Sequence, residues 1–276
     1  MFLSVAGRRA WRACGAAAIL CCGAHGGAPA VAQSGAPEVL ELVEKVFEAR
    51  TYVADDGSKL PYRFGQPLAV EPDQKYPLVL FLHGAGERGD DNLRQGVHGL
   101  PEMARDEFRR RYPCYVVAPQ CPAESMWAKV AWASERHTMS EEPAAPMQHT
   151  LAVIAQLREQ YPIDPQRIYA TGLSMGGYGV WDLAAREPDL LAAAVPICGG
   201  GDEAQAERIA QLPLWAFHGG ADPVVKPIRS QRMIAALRAV GGNPIYTEYA
   251  DVGHDSWTAT YANQLLWDWM FAQRRQ

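Results

Sequence analysis

Residues 171–177 read T-G-L-S-M-G-G and set Ser174 in a G-x-S-x-G turn, which leaves this chain few folds to choose from. Upstream, residues 167–171 have the β-branched and aromatic content of a short strand, and downstream residues 178–186 have helical spacing. A strand, a sharp turn and a helix form the context in which a serine Oγ is presented at the edge of a sheet as a nucleophile. Gly172 and Gly176 lack Cβ atoms, so strand and helix can approach closely on either side of the serine. A helix cap rich in small residues is the blander reading, and the matched flanks argue against it.

The rest of the chain supplies the sheet that such a turn requires. Residues 77–82, P-L-V-L-F-L, are an unbroken apolar run of the kind buried on both faces of a parallel sheet. Further strands are expected at 115–118, 167–171, 192–197, 214–217 and 245–249, with helices at 147–160, 180–186, 229–240 and 261–272. This alternation predicts an α/β fold, a mostly parallel sheet with helices on both faces. Ahead of it, residues 39–46 suit a short helix. Residues 49–53 and 60–64 suit an antiparallel hairpin at the sheet edge, turning through D-D-G-S at 55–58. The long irregular stretch 119–146 carries Met126, Trp127, Trp132 and His137 and is expected to wall a cleft.

The first 32 residues read as an export signal. Arg8, Arg9 and Arg12 precede an apolar stretch at 16–22, and Ala30-Val31-Ala32 offers a small-residue cleavage site. That apolar stretch is far short of the ~20 residues that span a bilayer, so no stable membrane insertion is expected after cleavage. The organisation expected is a signal at 1–32, an extension at 33–46 and one catalytic domain at 47–276, destined for the periplasm or the exterior. A formal charge of −5, with the three signal arginines included, argues against nucleic acid as a partner. Beyond the signal stand Cys114, Cys121 and Cys198. Cys114 and Cys121 flank a strand and stand too far apart to bridge; Cys121 with Cys198 is conceivable, and buried unbridged thiols are the expectation.

A serine hydroxyl is a weak nucleophile until a histidine accepts its proton and an acid orients that histidine. In the order Ser, acid, His that goes with this elbow, two histidines follow Ser174. His254 lies in D-V-G-H-D-S-W between the last strand and the last helix, the place expected of the base, whereas His218 ends a strand and suits a structural hydrogen bond. For the acid, Asp222 follows the strand W-A-F-H and a glycine turn, which brings it to the same sheet edge as Ser174; Asp202 is the alternative, and Asp251 is expected to fix the loop of His254. The developing oxyanion needs two aimed donors. Met175, directly after the serine, and Ala85, in the loop H-G-A-G-E-R-G at 83–89, are the candidates for them, with His83 holding that loop in place.

The glycine loop lacks the lysine of a phosphate-binding loop and opens no dinucleotide fingerprint. With neither H-E-x-x-H nor paired cysteine spacing, no metal and no cofactor are expected. Trp127, Trp132 and Trp257 are the candidates for lining a substrate cleft, and Trp181, Trp215, Trp267 and Trp269 the candidates for the core.

Together, H-G-A-G-E-R-G with Asp91-Asn92, the Ser174 turn, the Asp222 turn and D-V-G-H-D-S-W resemble the bacterial α/β-hydrolases grouped as predicted peptidases or phospholipase/carboxylesterase-like proteins. These are related to feruloyl and acetylxylan esterases and to polyhydroxyalkanoate depolymerases. The resemblance spans about residues 47–269. It implies the α/β-hydrolase fold and a serine carboxylesterase acting on small-molecule or polymeric esters through an acyl-enzyme. A small serine peptidase, or a ligand-binding protein that has kept the scaffold without the chemistry, are the alternatives.

Overall fold

Alternate residues of the apolar strands face two separate cores, which is why those strands read as unbroken hydrophobic runs. In β3 (Tyr76–Leu82), Leu78, Leu80 and Leu82 enter one core, and Val79 and Phe81 enter the other. The computed structural model describes residues 37–275 apart from residue 133, so the expected export signal at 1–32 lies outside the described residues. Eight strands form one sheet: β1 (Phe47–Val53), β2 (Lys59–Gly65), β3, β4 (Tyr115–Pro119), β5 (Ile163–Leu173), β6 (Ala193–Ile197), β7 (Trp215–Gly219) and β8 (Ile245–Tyr249). Their spatial order is β1-β2-β4-β3-β5-β6-β7-β8. The β1–β2 and β2–β4 pairs are antiparallel and the remaining pairs parallel, so the expected hairpin does form the sheet edge.

Eight α-helices accompany the sheet among the described residues: α1 (Pro37–Val46), α2 (Leu100–Ala104), α3 (Asp106–Arg111), α4 (Ala145–Gln160), α5 (Met175–Arg186), α6 (Ile228–Ala239), α7 (Ser256–Tyr261) and α8 (Gln264–Ala272). Residues of α4, α5 and α6 pack into the core on one face, and residues of α1, α2, α3, α7 and α8 into the core on the other. None of the described helices is long and apolar enough to cross a membrane.

The single helix expected over 261–272 is two. The chain breaks at Ala262 and restarts at Asn263, whose side chain accepts the N–H of Leu265 and caps α8. An asparagine there satisfies a backbone donor that helix geometry leaves orphaned. Among its described residues the stretch 120–144 holds neither strand nor α-helix; Pro119 ends β4 and Ala145 begins α4, so the irregular stretch is slightly shorter than the expected 119–146. From β3 the chain goes to β4 on one side and then crosses to β5 on the other. Such a reversal opens a crevice at the carboxyl edge of the sheet. The loops after β3, β5, β7 and β8 all leave from that edge.

Candidate active site

Ser174 sits between β5 and α5 with φ 53° and ψ −115°, a conformation that an L-residue avoids unless its surroundings impose it. Close packing imposes it here. A Cβ at Gly176 would stand 1.9 Å from the carbonyl oxygen of Leu82 at the end of β3, so only glycine lets α5 start this near the strand. The Ser174 N–H donates back into the sheet, to the Ile197 carbonyl at 2.9 Å and to the Cys198 Sγ at 3.3 Å. Cys198 itself has φ 40° and is fully buried, and burial pushes its thiol well above the ordinary range. Cys114, Cys121 and Cys198 are all buried and free of disulfides.

The turn after β7 and the loop after β8 meet the serine. His254 Nε2 lies 2.9 Å from Ser174 Oγ, and His254 Nδ1 lies 2.7 Å from Asp222 Oδ2. Asp222 is 5% exposed, and its other oxygen accepts the N–H groups of Val224 (2.8 Å) and Val225 (3.0 Å). Burial pushes its carboxyl pKa up, but hydrogen bonds from His218, His254 and Val225 outweigh that and hold it well below the usual carboxylate range. A charged carboxylate takes the N–H of Nδ1 and so fixes the His254 tautomer. The free lone pair of Nε2 then faces the Ser174 hydroxyl, which donates to it. Two glycines bring the loops together: a Cβ at Gly219 would stand 2.0 Å from the Gly253 carbonyl oxygen.

The residues considered as alternatives have other partners, although His218 also stands 3.4 Å from Asp222 Oδ2 through its Nε2. His218 is fully buried, with Nδ1 at 2.7 Å from Ser230 Oγ and Nε2 at 2.8 Å from the Val225 carbonyl, bonds that pin the Asp222 turn to α6. Asp202 caps a 3-10 turn and accepts the Met139 N–H. Asp251 is exposed, and it is Asp255 that holds the His254 loop, by capping α7 through the N–H of Thr258. His83 Nε2 accepts the Cys121 N–H at 2.9 Å, which leaves the hydrogen on Nδ1, 2.6 Å from the Gly84 carbonyl. Burial lowers its pKa to about 4.

A cavity of about 240 Å3 opens beside Ser174. Met175 and Ala85 both border it, each as the first residue of a helical turn, where the N–H has no intrahelical acceptor. Of the tryptophans, Trp132 and Trp257 line this cavity, and Trp257 stands edge-on to the His254 ring at 5.3 Å. Trp127 does not. It is fully buried, with its indole N–H on the His83 carbonyl at 3.0 Å and its Cβ against the site where Gly179 lacks one, so it is a core residue beneath α5. Trp181 and Trp267 are core as expected, and Trp215 and Trp269 pack on each other half-buried. Missed by the sequence reading, Glu87 also lines the cavity, with Oε2 buried and without a partner and Oε1 3.9 Å from His98 Nε2. Burial raises its pKa, against the pull of His98.

Among the described residues, one group of three side chains has metal-ligating atoms within 4.8 Å of one another, Cys198, Asp222 and His254. Two of them are hydrogen-bonded to each other as above, and the third is a thiol kept protonated by burial. This donor set is engaged in orienting a base, not arranged around an ion.

An elbow serine, an imidazole held in one tautomer and two unpaired N–H groups beside an apolar cavity form the setting of acyl transfer, and comparison with known proteins agrees with it. The sequence model of the dienelactone hydrolase family matches residues 123–263. The chain belongs to this family. It is 27% identical over 152 residues to the putative esterase NocK of Nocardia uniformis subsp. tsuyamanensis, spanning 54% of this chain and 40% of NocK. It is likewise 27% identical over 176 residues to a poly(3-hydroxyoctanoate) depolymerase of Pseudomonas fluorescens, spanning 58% of this chain and 61% of that protein. Among solved structures, a thermostable esterase superposes with a TM-score of 0.79 at 42% identity, covering 85% of this chain and 64% of its own. A ferulic acid esterase shares the fold, with a TM-score of 0.60 at 17% identity over 82% of this chain and 96% of its own. The α/β-hydrolase fold read from the sequence is therefore the fold of the protein.

Proposed function

We propose that this chain is an exported serine carboxylesterase. The observation that carries the reading is the unbroken line of hydrogen bonds from Asp222 through His254 to Ser174, ending at the mouth of an apolar cavity. Ser174 Oγ attacks the ester carbonyl while its proton passes to His254 Nε2, and the Asp222 carboxylate stabilises the imidazolium so formed. The oxyanion lies between the N–H groups of Met175 and Ala85. Collapse expels the alkoxide, which takes the proton from His254. Water, deprotonated by the same imidazole, then releases the acid and frees Ser174. The scheme uses no metal and no cofactor. Export rests on the arginine, apolar and small-residue pattern of residues 1–32.

The relatives named as depolymerases make polyester a substrate to try beside small esters. The deciding experiment compares wild type with Ser174→Ala on p-nitrophenyl acetate, an aminoacyl anilide and polyester film, with fluorophosphonate labelling alongside. Ester turnover and labelling in the wild type, both lost in a folded Ser174→Ala protein, are expected. Faster turnover of the anilide than of the ester would make it a peptidase. Turnover that EDTA abolishes and added metal restores would overturn the serine mechanism.

A further inference from the structure

The cleft at Ser174 continues past its own cavity. A second cavity, of about 200 Å3, borders the first, and both are lined by Trp132 and Val224. Glu135, Lys226 and Arg229 also line the second cavity and are absent from the lining of the first. The indole of Trp132 is thus a partition, and its surroundings hold it still. The Arg88 guanidinium lies over its ring at 5.8 Å, while Arg88 Nε donates to the Ala85 carbonyl at 2.9 Å and Nη1 to the Ser125 carbonyl at 3.2 Å. On the other side, the loop is tied to α6 through the Glu135 carbonyl, which accepts from Arg232 Nη1 at 2.9 Å, and to the turn before α6 through the Glu135 carboxylate, 3.6 Å from Lys226 Nζ.

Proton transfer decides which half of an ester meets this partition. His254 Nε2 must hand its proton to the departing alkoxide, so the alcohol lies on the His254 side, where Trp257 stands. The acyl chain then points away from it, toward Tyr178 and Val225, against which Trp132 packs. We propose that Trp132, clamped by Arg88, is an acyl-size gate that closes the acyl pocket and shuts off the second cavity. A cavity of about 150 Å3 holds a benzene ring, so the nearer pocket suits unbranched acyl groups up to about six carbons.

This inference rests on the serine esterase reading, and the test separates the two. Enzyme concentration is fixed by fluorophosphonate titration, and kcat/KM is measured on p-nitrophenyl butyrate, hexanoate and decanoate. In the wild type kcat/KM should fall beyond hexanoate. Trp132→Ala should raise the decanoate-to-butyrate ratio by at least about tenfold, the scale of one or two methylenes gaining an apolar wall, and Trp132→Phe should move it by less than about threefold. Val224→Ala, on the other lip, should shift the ratio the same way by less, and serves if Trp132→Ala does not fold. Arg88→Gln should raise the ratio and also lower kcat on every ester, because the Ala85 carbonyl loses its partner. A Trp132→Ala or Val224→Ala enzyme that titrates fully and keeps the wild-type ratio overturns the gate and leaves the esterase standing. A wild type that neither titrates nor turns over any ester removes both.

Discussion

Asp222→Asn tests the proposed mechanism at its most constrained point, because the two oxygens of this carboxylate have opposite obligations. Oδ1 accepts two backbone N–H groups, from Val224 and Val225, so in the variant the amide oxygen must take that place. Turning the amide round would set its NH2 against both donors and lose two buried hydrogen bonds, at about 1–3 kcal/mol each. The NH2 is therefore left facing His254 Nδ1 at the 2.7 Å now spanned by the carboxylate. An NH2 there needs an acceptor, so Nδ1 gives up its hydrogen, which moves to Nε2, and the imidazole can no longer take a proton from Ser174. The productive tautomer survives only in the turned-round minority. A cost of about 2–6 kcal/mol puts that minority at roughly 3 × 10⁻² to 5 × 10⁻⁵, and the imidazolium also loses its counter-charge. The expected loss in kcat/KM is about 10³- to 10⁴-fold, in line with the ~10⁴-fold known for amide replacement in a serine-protease triad. Stopped-flow turnover of p-nitrophenyl acetate, on enzyme shown to be folded by its thermal transition, measures it. A folded variant within tenfold of wild type refutes the tautomer argument and the assignment of Asp222 with it.

Three further outcomes follow from the same geometry. His83 has its pKa lowered by burial to about 4 in the folded state, against about 6.5 for an ordinary imidazole. The unfolded chain then binds the extra proton between those values, so stability is full above pH 6.5 and falls as pH drops toward 4, by on the order of 3 kcal/mol. Urea midpoints from pH 7.5 to 4.5 should show this slope in the wild type and a flatter one in His83→Gln; equal slopes refute it. Asp222, whose carboxyl is held below the usual range, contributes stability that is present above about pH 4 and fades as pH falls through its folded value. The stability gap between wild type and Asp222→Asn should narrow below pH 4, and a gap that widens would contradict the direction of the shift. Gly176→Ala puts a Cβ 1.9 Å from a backbone oxygen, which lies beyond ordinary overpacking of about 1–3 kcal/mol. It should lower the melting temperature by several degrees or prevent folding, and a wild-type melting curve would show that the elbow has room it is not seen to have.

The parts legible in the sequence are those written by backbone necessity. Strands facing two cores must be apolar throughout, and β3 reads as such; an elbow with φ 53° beside a closely packed strand must be flanked by glycine. Asp222 and His254 could be singled out together because each follows a strand of the parallel part of the sheet, β7 or β8, and such strands end at the same sheet edge. Helix ends were less legible, since the restart at Asn263 depends on one capping side chain inside an otherwise continuous apolar pattern. Short α2 and α3 were passed over for a related reason: five and six residues are too few to display a period.

Cavity walls obey a different logic, and Trp127 with Trp132 makes the difference plain. Both lie in the same irregular stretch, five residues apart, and no local pattern separates them. One is buried beneath α5 and the other borders the cavity beside Ser174, a choice made by partners distant in sequence: Gly179 and the His83 carbonyl for Trp127, Arg88 for Trp132. The distant partners still leave a trace. A glycine inside a helix costs about 1 kcal/mol relative to alanine, so Gly179 in the middle of α5 signals that something large must approach there. That something is the Trp127 side chain, 2.6 Å from where the missing Cβ would be. Gly179→Ala therefore acts on Trp127 first and reaches the site through the His83 carbonyl that its indole holds. Its expected signature is loss of stability with a fall in kcat and little change in the acyl-chain profile, whereas a change at Trp132 moves the profile. Measuring both variants on the same ester series tells a wall residue from a core residue, and a Gly179→Ala enzyme with an altered chain-length preference would place Trp127 back in the cleft.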